Sequence, residues 1–332
     1  MKVIIPLAGK GTRLRPQTYV TPKPLLRVGG RPVMSYILDD LQALGVEEIV
    51  FITGYLKEKI EEYVGREYPG FRTHYVEQAV QDGTAGAVAL AEPFIDEDCL
   101  IIFVDTLFDA DLSLVKRLPE DSAGVIWAKE VEDYQRFGVI VKDADGNMRR
   151  IVEKPKDPIS KLANIGLYYI RDWKLLFEGI RATVTGFKGP TGEFYLTDAF
   201  QYMIDNGARI RVEEVEGWYD CGQLETLIDT NRHVLESGRA RSPDGGRAVK
   251  VHPPVRIEEG VRLENAEIGP NVTVGTGSLL RNVKLRDALI GENCTVEDSD
   301  LHDTMIGDHA VVRGVRGSVQ VCDHSVVGGG ES

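Results

Sequence analysis

Residues 7–15 read LAGKGTRLR, in which Gly9 and Gly11 flank a lysine and Arg13 and Arg15 follow closely. Bare backbone beside clustered cations is what a phosphate group needs. Glycine N–H groups can close round its oxygens. A cation 4 Å from a phosphate oxygen contributes on the order of 4 kcal/mol at an effective dielectric near 20. Lys23 follows in TPKPLL, between two prolines that fix φ on either side and stiffen the segment. Two aspartates could meet the same phosphates through a hard divalent ion, which prefers carboxylate oxygens. Asp105 ends the apolar run CLIIFVD, and Asp220 stands directly before a helical run in EGWYDCGQLETL. A plainer alternative makes Asp220 the N-cap of that helix, as Asp111 is expected to cap LSLVKRL.

The spelling of the front loop excludes two common phosphate loops. A dinucleotide fingerprint would need a third glycine where Leu14 stands, and the Walker pattern is absent.

The elements that must hold these residues are legible. Residues 3–8 form a continuous apolar strand, the kind buried on both faces of a parallel sheet. Val33, Met34, Ile37, Leu38, Leu41 and Leu44 recur at helical spacing, and Gly45 closes the run. EEIVFIT reads as a strand, YLKEKIEEYV as a helix, TAGAVALAEPF as a helix ended by Pro93, and CLIIFV as a buried strand. This alternation predicts an α/β fold: a doubly wound, mixed but mostly parallel Rossmann-like sheet. Ligands of such sheets sit at the carboxyl ends of the strands, where Asp105 falls. SAGVIWAKEV, GVIVKDADGNMRRIVEKP and ANIGLYYI add strands, with a turn at Asp145 and Gly146. Two helices, the strand ARIRVEEVE and a helix near 223–235 follow. ESGRARSPDGGR is polar and aperiodic and reads as a linker.

Beyond it, aliphatic residues recur every five or six positions, in the phrases EIGPNVTV, LIGENCTV and MIGDHAVV. That is an imperfect hexapeptide repeat and predicts a short left-handed parallel β-helix. Stacked repeats often mediate assembly, so a homo-oligomer is expected. The expected boundaries are 1–236 for the first domain, 237–250 for the linker and 251–332 for the β-helix.

Thirty-nine basic residues against 52 acidic give a net charge of -13, which argues against a nucleic-acid partner. Cys99, Cys221, Cys294 and Cys322 show no metal or redox spacing and read as free thiols of a reducing compartment. No stretch reaches the ~20 apolar residues needed to span a bilayer. No leader is spelled at the N-terminus. A cytoplasmic protein with no membrane partner is expected. The six histidines are scattered and read as structural or exposed.

LAGKGTRLRPQTYVTPKPLL resembles the G-x-G-T-R-(x)n-P-K signature of the sugar-phosphate nucleotidylyltransferases, over roughly residues 1–235. The resemblance implies a reaction: a sugar 1-phosphate and a nucleoside triphosphate give a nucleotide-sugar and pyrophosphate. It implies Mg2+ held by Asp105 and Asp220, and charge neutralisation by Arg13, Lys23 and Lys154. Leu7, Ala8, Gly9, Gly11 and Thr12 would bind the nucleotide. Gln78, Gly83 and Thr84 would complete the nucleotide site: Gln78, five residues before Gly83, would meet the base, Gly83 would let the backbone come close, and Thr84 would also cap the helix that follows. Gly138, Glu153, Lys154 and Asn164 would bind the sugar phosphate. Val104 departs from the glycine usual before this aspartate. A bound sugar phosphate is already an anion at pH 7, so the reaction needs alignment and charge rather than a general base. An amide at Gln78 suits uracil or thymine, which favours UTP or dTTP with glucose 1-phosphate. DGTAGAV also resembles the guanylyl- and adenylyltransferase branches. A regulatory relative that only binds nucleotide-sugar, and an acyltransferase role for the β-helix, are the readings from other classes.

Overall fold

A computed structural model describes residues 1–186, 188–189, 192–241 and 247–328. Part of the expected linker, the last four residues, Phe187, Pro190 and Thr191 lie outside the described residues. The chain divides into two compact units, residues 1–9 with 37–218, and residues 10–36 with 219–332.

The first unit is built on a mixed sheet. Its strands are β1 (Lys2–Pro6), β2 (Glu48–Thr53), β3 (Arg72–Glu77), β4 (Cys99–Ile102), β5 (Gly124–Glu130), β6 (Gly138–Lys142), β7 (Met148–Glu153), β8 (Leu162–Ile170) and β9 (Ile210–Glu214). The order runs β7-β6-β8-β4-β1-β2-β3, and β5 pairs with β8 and β9. β1 is parallel to β2 and β4, and β2 to β3. β8 runs antiparallel to β4, with Leu167 opposite Ile102. Apolar runs put these central strands here, because both their faces are covered. Ile4, Val50 and Ile101 are fully buried, and share one core with Val88, Phe177 and Phe200 from the helices α1 (Thr84–Ala89), α2 (Trp173–Thr185) and α3 (Leu196–Asp205).

Three local readings change. Pro93 does not end a long helix: α1 stops at Ala89, and Pro93 sits inside a separate 3-10 turn, Glu92–Phe94. LSLVKRL is a 3-10 turn too, with Asp111 accepting the Ser113 N–H at 2.9 Å as its cap. β3 went unread because RTHYVE is an edge strand, half exposed and polar, with no apolar run to mark it.

The second unit contains the β-helix. Ile257 pairs with Val274, Val274 with Ile290, Ile290 with Ile306 and Ile306 with Val321, all in parallel register. Leu263, Leu280, Val296 and Val312 form a second buried column. Corners are turned by residues at left-handed φ: Asn265 at 48°, Asn282 at 53° and Asp298 at 51°. Asn and Asp tolerate that region best among residues with a Cβ. Their side chains form a ladder, Asn265 Nδ2 donating to Asn282 Oδ1 at 3.0 Å and Asn282 Nδ2 to Asp298 Oδ1 at 2.8 Å. The helix Leu224–Val234 runs on to about Leu235 and then breaks at Ser237 and Gly238, the latter at φ 97°, and Arg247–Val251 pairs with Arg262–Ile268.

Candidate active site

In the first unit the candidate residues gather at one edge of the sheet. β1 ends at Pro6, so Leu7, Ala8 and Gly9 follow at its carboxyl end. Gln78 follows β3, and Asp105 follows β4 by three residues. Because β8 is antiparallel to β4, Asn164, near its start, falls at the same edge. That is where open α/β sheets bind ligands.

Among the residues expected to meet the nucleotide, the Leu7 N–H donates to Ile52 O at 2.8 Å, which fixes the turn out of β1. Gln81 Nε2 donates to Ala8 O at 2.8 Å and ties the two loops together. Gln78 is buried, and its amide nitrogen donates to Asp82 Oδ1 at 3.2 Å and Gly83 O at 3.3 Å. Its carbonyl oxygen is the side of the amide left for a ligand. Gly83 lies at φ 122°, and a Cβ there would come within 2.3 Å of Phe194 O. Thr84 does not cap α1: Gly83 holds that position, and the Thr84 hydroxyl accepts the Leu196 N–H at 2.9 Å instead.

Of the residues expected to meet the sugar phosphate, the structure brings Gly138, Glu153, Lys154 and Asn164 together. Gly138 pairs with Glu153 across β6 and β7. Asn164 Nδ2 donates to Gly138 O at 3.3 Å, and its oxygen accepts the Gly166 N–H at 3.1 Å and the Tyr168 hydroxyl. Thr197 Oγ1 donates to Glu153 Oε2 at 3.4 Å. β7 ends at Glu153, and Lys154 takes φ 44°. The strand alternation that would send the two side chains to opposite faces therefore stops between them. Lys154 Nζ lies 3.8 Å from Glu153 Oε1 and 5.3 Å from the centre of the Tyr195 ring.

Burial raises the Glu153 carboxyl above its ordinary value, while the Lys154 charge pulls it down. Partial desolvation raises the carboxyl of the exposed Asp198 too. Burial pushes the Tyr168 hydroxyl up strongly, and the charges of Glu153 and Asp105 add to that shift. Tyr168 thus lies within the field of both carboxylates. Tyr168, Thr197 and Gln81 escaped the sequence reading, because no spacing or motif marks them.

The remaining candidates lie in the second unit. Gly11, at φ 59°, starts a 3-10 turn, Thr12–Leu14. Leu14 is buried and anchors the turn, leaving Thr12 and Arg13 exposed. Lys23 opens another 3-10 turn, Lys23–Leu25, after the extended Pro22. A Cβ on Gly11 would lie 3.2 Å from Lys23 Cβ, so the two turns pack closely. Asp220 is not the N-cap of Leu224–Val234; Gln223 is, in a capping box with Thr226. The Asp220 carboxylate accepts the Gly222 N–H at 2.8 Å and the Thr226 hydroxyl at 3.4 Å. These bonds aim the carboxylate and leave it acceptor capacity.

Leu7, Ala8 and Gly9 thus share one edge of an α/β sheet with the Lys154–Glu153–Asn164 cluster. A profile described as "Nucleotidyl transferase" matches residues 2–237. The chain therefore belongs to the nucleotidyl transferase family, in the group that acts on sugar phosphates. It is 30% identical over 324 residues to a glucose-1-phosphate thymidylyltransferase of Streptomyces antibioticus, covering 95% of this chain and 90% of that one. It is 34% identical over 241 residues to the UTP–glucose-1-phosphate uridylyltransferase AglF of Haloferax volcanii, covering 71% and 97%. It is also 30% identical to the bifunctional protein GlmU of Methanocaldococcus jannaschii, covering 89% and 78%. Among solved structures, a UDP-glucose pyrophosphorylase complexed with UDP-glucose matches with a TM-score of 0.63 and 26% identity, over 71% of this chain and 98% of that one.

Proposed function

We propose that the protein transfers a nucleotidyl group from dTTP or UTP to a hexose 1-phosphate, with glucose 1-phosphate favoured. An oxygen of the sugar phosphate attacks the α-phosphorus; the bond from that phosphorus to the bridging oxygen breaks, and pyrophosphate leaves. The observation that carries this reading is the Gly138–Glu153–Lys154–Asn164 cluster at the same sheet edge as Leu7, Ala8 and Gly9. A carboxylate, an amide and a backbone carbonyl suit sugar hydroxyls, and a lysine suits the phosphate.

Arg13 and Lys23 neutralise the triphosphate and Lys154 the sugar phosphate, so that two polyanions can approach in line. Gly9, Gly11 and Thr12 offer backbone to the phosphates. The Gln78 carbonyl oxygen is an acceptor for the N3–H of uracil or thymine, and Gly83 keeps the loop close. Asp105 and Asp220 hold Mg2+. Among the described residues no cluster of three or more His, Cys, Asp or Glu side chains could hold a metal alone. Two carboxylates completed by phosphate oxygens and water are a donor set that Mg2+ accepts. When bound, the ion would draw charge from the phosphate oxygens.

Among the described residues no helix is long and apolar enough to cross a membrane. Free thiols at Cys99, Cys221 and Cys294, all buried, suit the reducing cytoplasm. The β-helix supports a homo-oligomer, which sedimentation of the full chain would reveal.

The test is to incubate the protein with Mg2+, glucose 1-phosphate and each of the four triphosphates, and to measure pyrophosphate. Release with dTTP or UTP is expected. Release with GTP and mannose 1-phosphate only, or with ATP only, would move the protein to the neighbouring branches. Absence of release with all pairs would leave a nucleotide-sugar-binding protein without turnover.

A further inference from the structure

Gln17 lies between Arg13 and Lys23, yet it is only 3% exposed, and its amide reaches more than 280 residues along the chain. Its Nε2 donates to Met305 O at 3.1 Å and to Val321 O at 3.3 Å. Those carbonyls belong to successive coils of the β-helix, since Ile306 pairs with Val321. The next residue, Thr18, is 1% exposed, and its hydroxyl donates to Gly11 O at 2.8 Å. The same Gly11 carbonyl accepts the Leu14 N–H at 3.0 Å and so closes the turn that presents Arg13. A Cβ on Gly11 would lie 3.0 Å from Thr18 Cγ2 and 3.2 Å from Lys23 Cβ. A continuous path of close contacts therefore runs from the coil carbonyls through Gln17, Thr18 and Gly11 to both cationic turns. Two further ties hold the same stretch: the Thr21 hydroxyl donates to Asp323 at 3.4 Å, and Arg27 pairs with Glu292 at 2.8 Å.

We propose that the β-helix sets the conformation of the phosphate loop, and that Gln17 is the positioning residue through which it does so. The inference rests on the reading that Arg13 and Lys23 act on the phosphates. Gln17 touches no substrate in this account. It fixes the loop before substrate arrives, so that its cations need not be ordered during turnover. Small misplacements of such groups are costly, since a shift of about 1 Å can lower a rate ~100-fold.

Removing the β-helix would strip the buried faces of Gln17 and Thr18 at once, so the test uses point substitutions in the full chain. Gln17→Leu keeps the volume and loses both donors; Thr18→Val keeps the shape and loses the hydroxyl. Each is measured for kcat and KM in pyrophosphate release, for melting temperature, and for tryptic cleavage after Lys10 and Arg13. Arg15 and Lys23 precede prolines and are poor tryptic sites. Both variants are expected to lose about tenfold or more in kcat while KM for the triphosphate moves less than ~2-fold. Cleavage after Arg13 should accelerate several-fold. Wild-type turnover together with wild-type cleavage in Gln17→Leu would overturn the proposal. If Gln17→Leu fails to fold, Thr18→Val decides by the same two readouts. Cleavage needs no catalysis, so an unbraced loop and an inactive protein give separate results.

Discussion

Asn164 and Gly138 lock each other in place. The Asn164 amide donates to the Gly138 carbonyl at 3.3 Å, and a Cβ on Gly138 would sit 2.5 Å from that same nitrogen and 2.8 Å from Glu153 Oε2. No side chain fits there without displacing both partners. Gly138→Ala is therefore expected to raise KM for the sugar 1-phosphate by roughly tenfold or more, because both groups proposed to read the sugar must move. KM for the triphosphate should change little. Steady-state kinetics with each substrate varied in turn would show it, and an unchanged sugar-phosphate KM would remove these residues from the sugar site.

Glu153 supplies a pH test. Burial holds its carboxyl above its ordinary value of 4.5. A carboxyl raised in the fold binds its proton more tightly there than in the unfolded chain. Its stabilising share is complete below the unfolded value and is lost as pH rises through the folded one. Glu153→Gln has no such loss. The melting temperature of Glu153→Gln relative to the unsubstituted protein should climb as pH is raised from about 4 towards neutrality. A difference that stayed flat, or fell, across that range would contradict the assigned direction.

The metal proposal separates neighbouring aspartates. Asp105→Asn and Asp220→Asn should each increase the Mg2+ concentration needed for half-maximal rate, on the order of tenfold, because a charged oxygen is lost from the ion's shell. Asp109, four residues past Asp105, is not one of the two proposed ligands, and Asp109→Asn should leave that concentration unchanged. Magnesium titrations of initial rate would decide. Equal responses from all three variants would mean that charge near the loop, rather than ligation, sets the requirement.

Asn231 is a stability test within the second unit. It is fully buried and accepts the Gly29 N–H at 2.8 Å and the Thr273 hydroxyl at 2.7 Å, while donating to Asn271 Oδ1 at 2.8 Å. Asn231→Leu would strand three polar partners away from water. Each stranded group costs about 1–3 kcal/mol, so a clear fall in melting temperature is expected. A variant that melted with the unsubstituted protein would mean that water takes over the partners.

Much of the fold could be read directly because its signals are local. Buried strands such as CLIIF announce themselves as unbroken apolar runs, and the β-helix through a step fixed by its coils. β3 could not be read that way, since an edge strand is half wet and its composition is mixed. The glycines and cations proposed to meet the phosphates stand out in the sequence because they share one short stretch. Tyr168 and Thr197 do not, because neither contact follows a motif: Tyr168 bonds Asn164 on its own strand, and Thr197 reaches Glu153 from α3. Thr84 and Asp220 each looked like caps, since Thr and Asp are the usual choices. Gly83 and Gln223 took those positions; Thr84 instead bonds Leu196 far along the chain, while Asp220 bonds Gly222 and Thr226 close by.

The two anchors on the β-helix are a fixed number of rungs apart. Asn231 is held by Asn271 and Thr273, beside Val274, whereas Gln17 is held beside Ile306 and at Val321. Val274 reaches Ile306 through Ile290, two steps of stacked backbone about 4.8 Å each. Deleting or duplicating a coil between them would carry one anchor past the other by a full rung. The β-helix thus serves as a ruler inside the molecule, and descendants of this chain can change its length only outside the stretch between the two anchors.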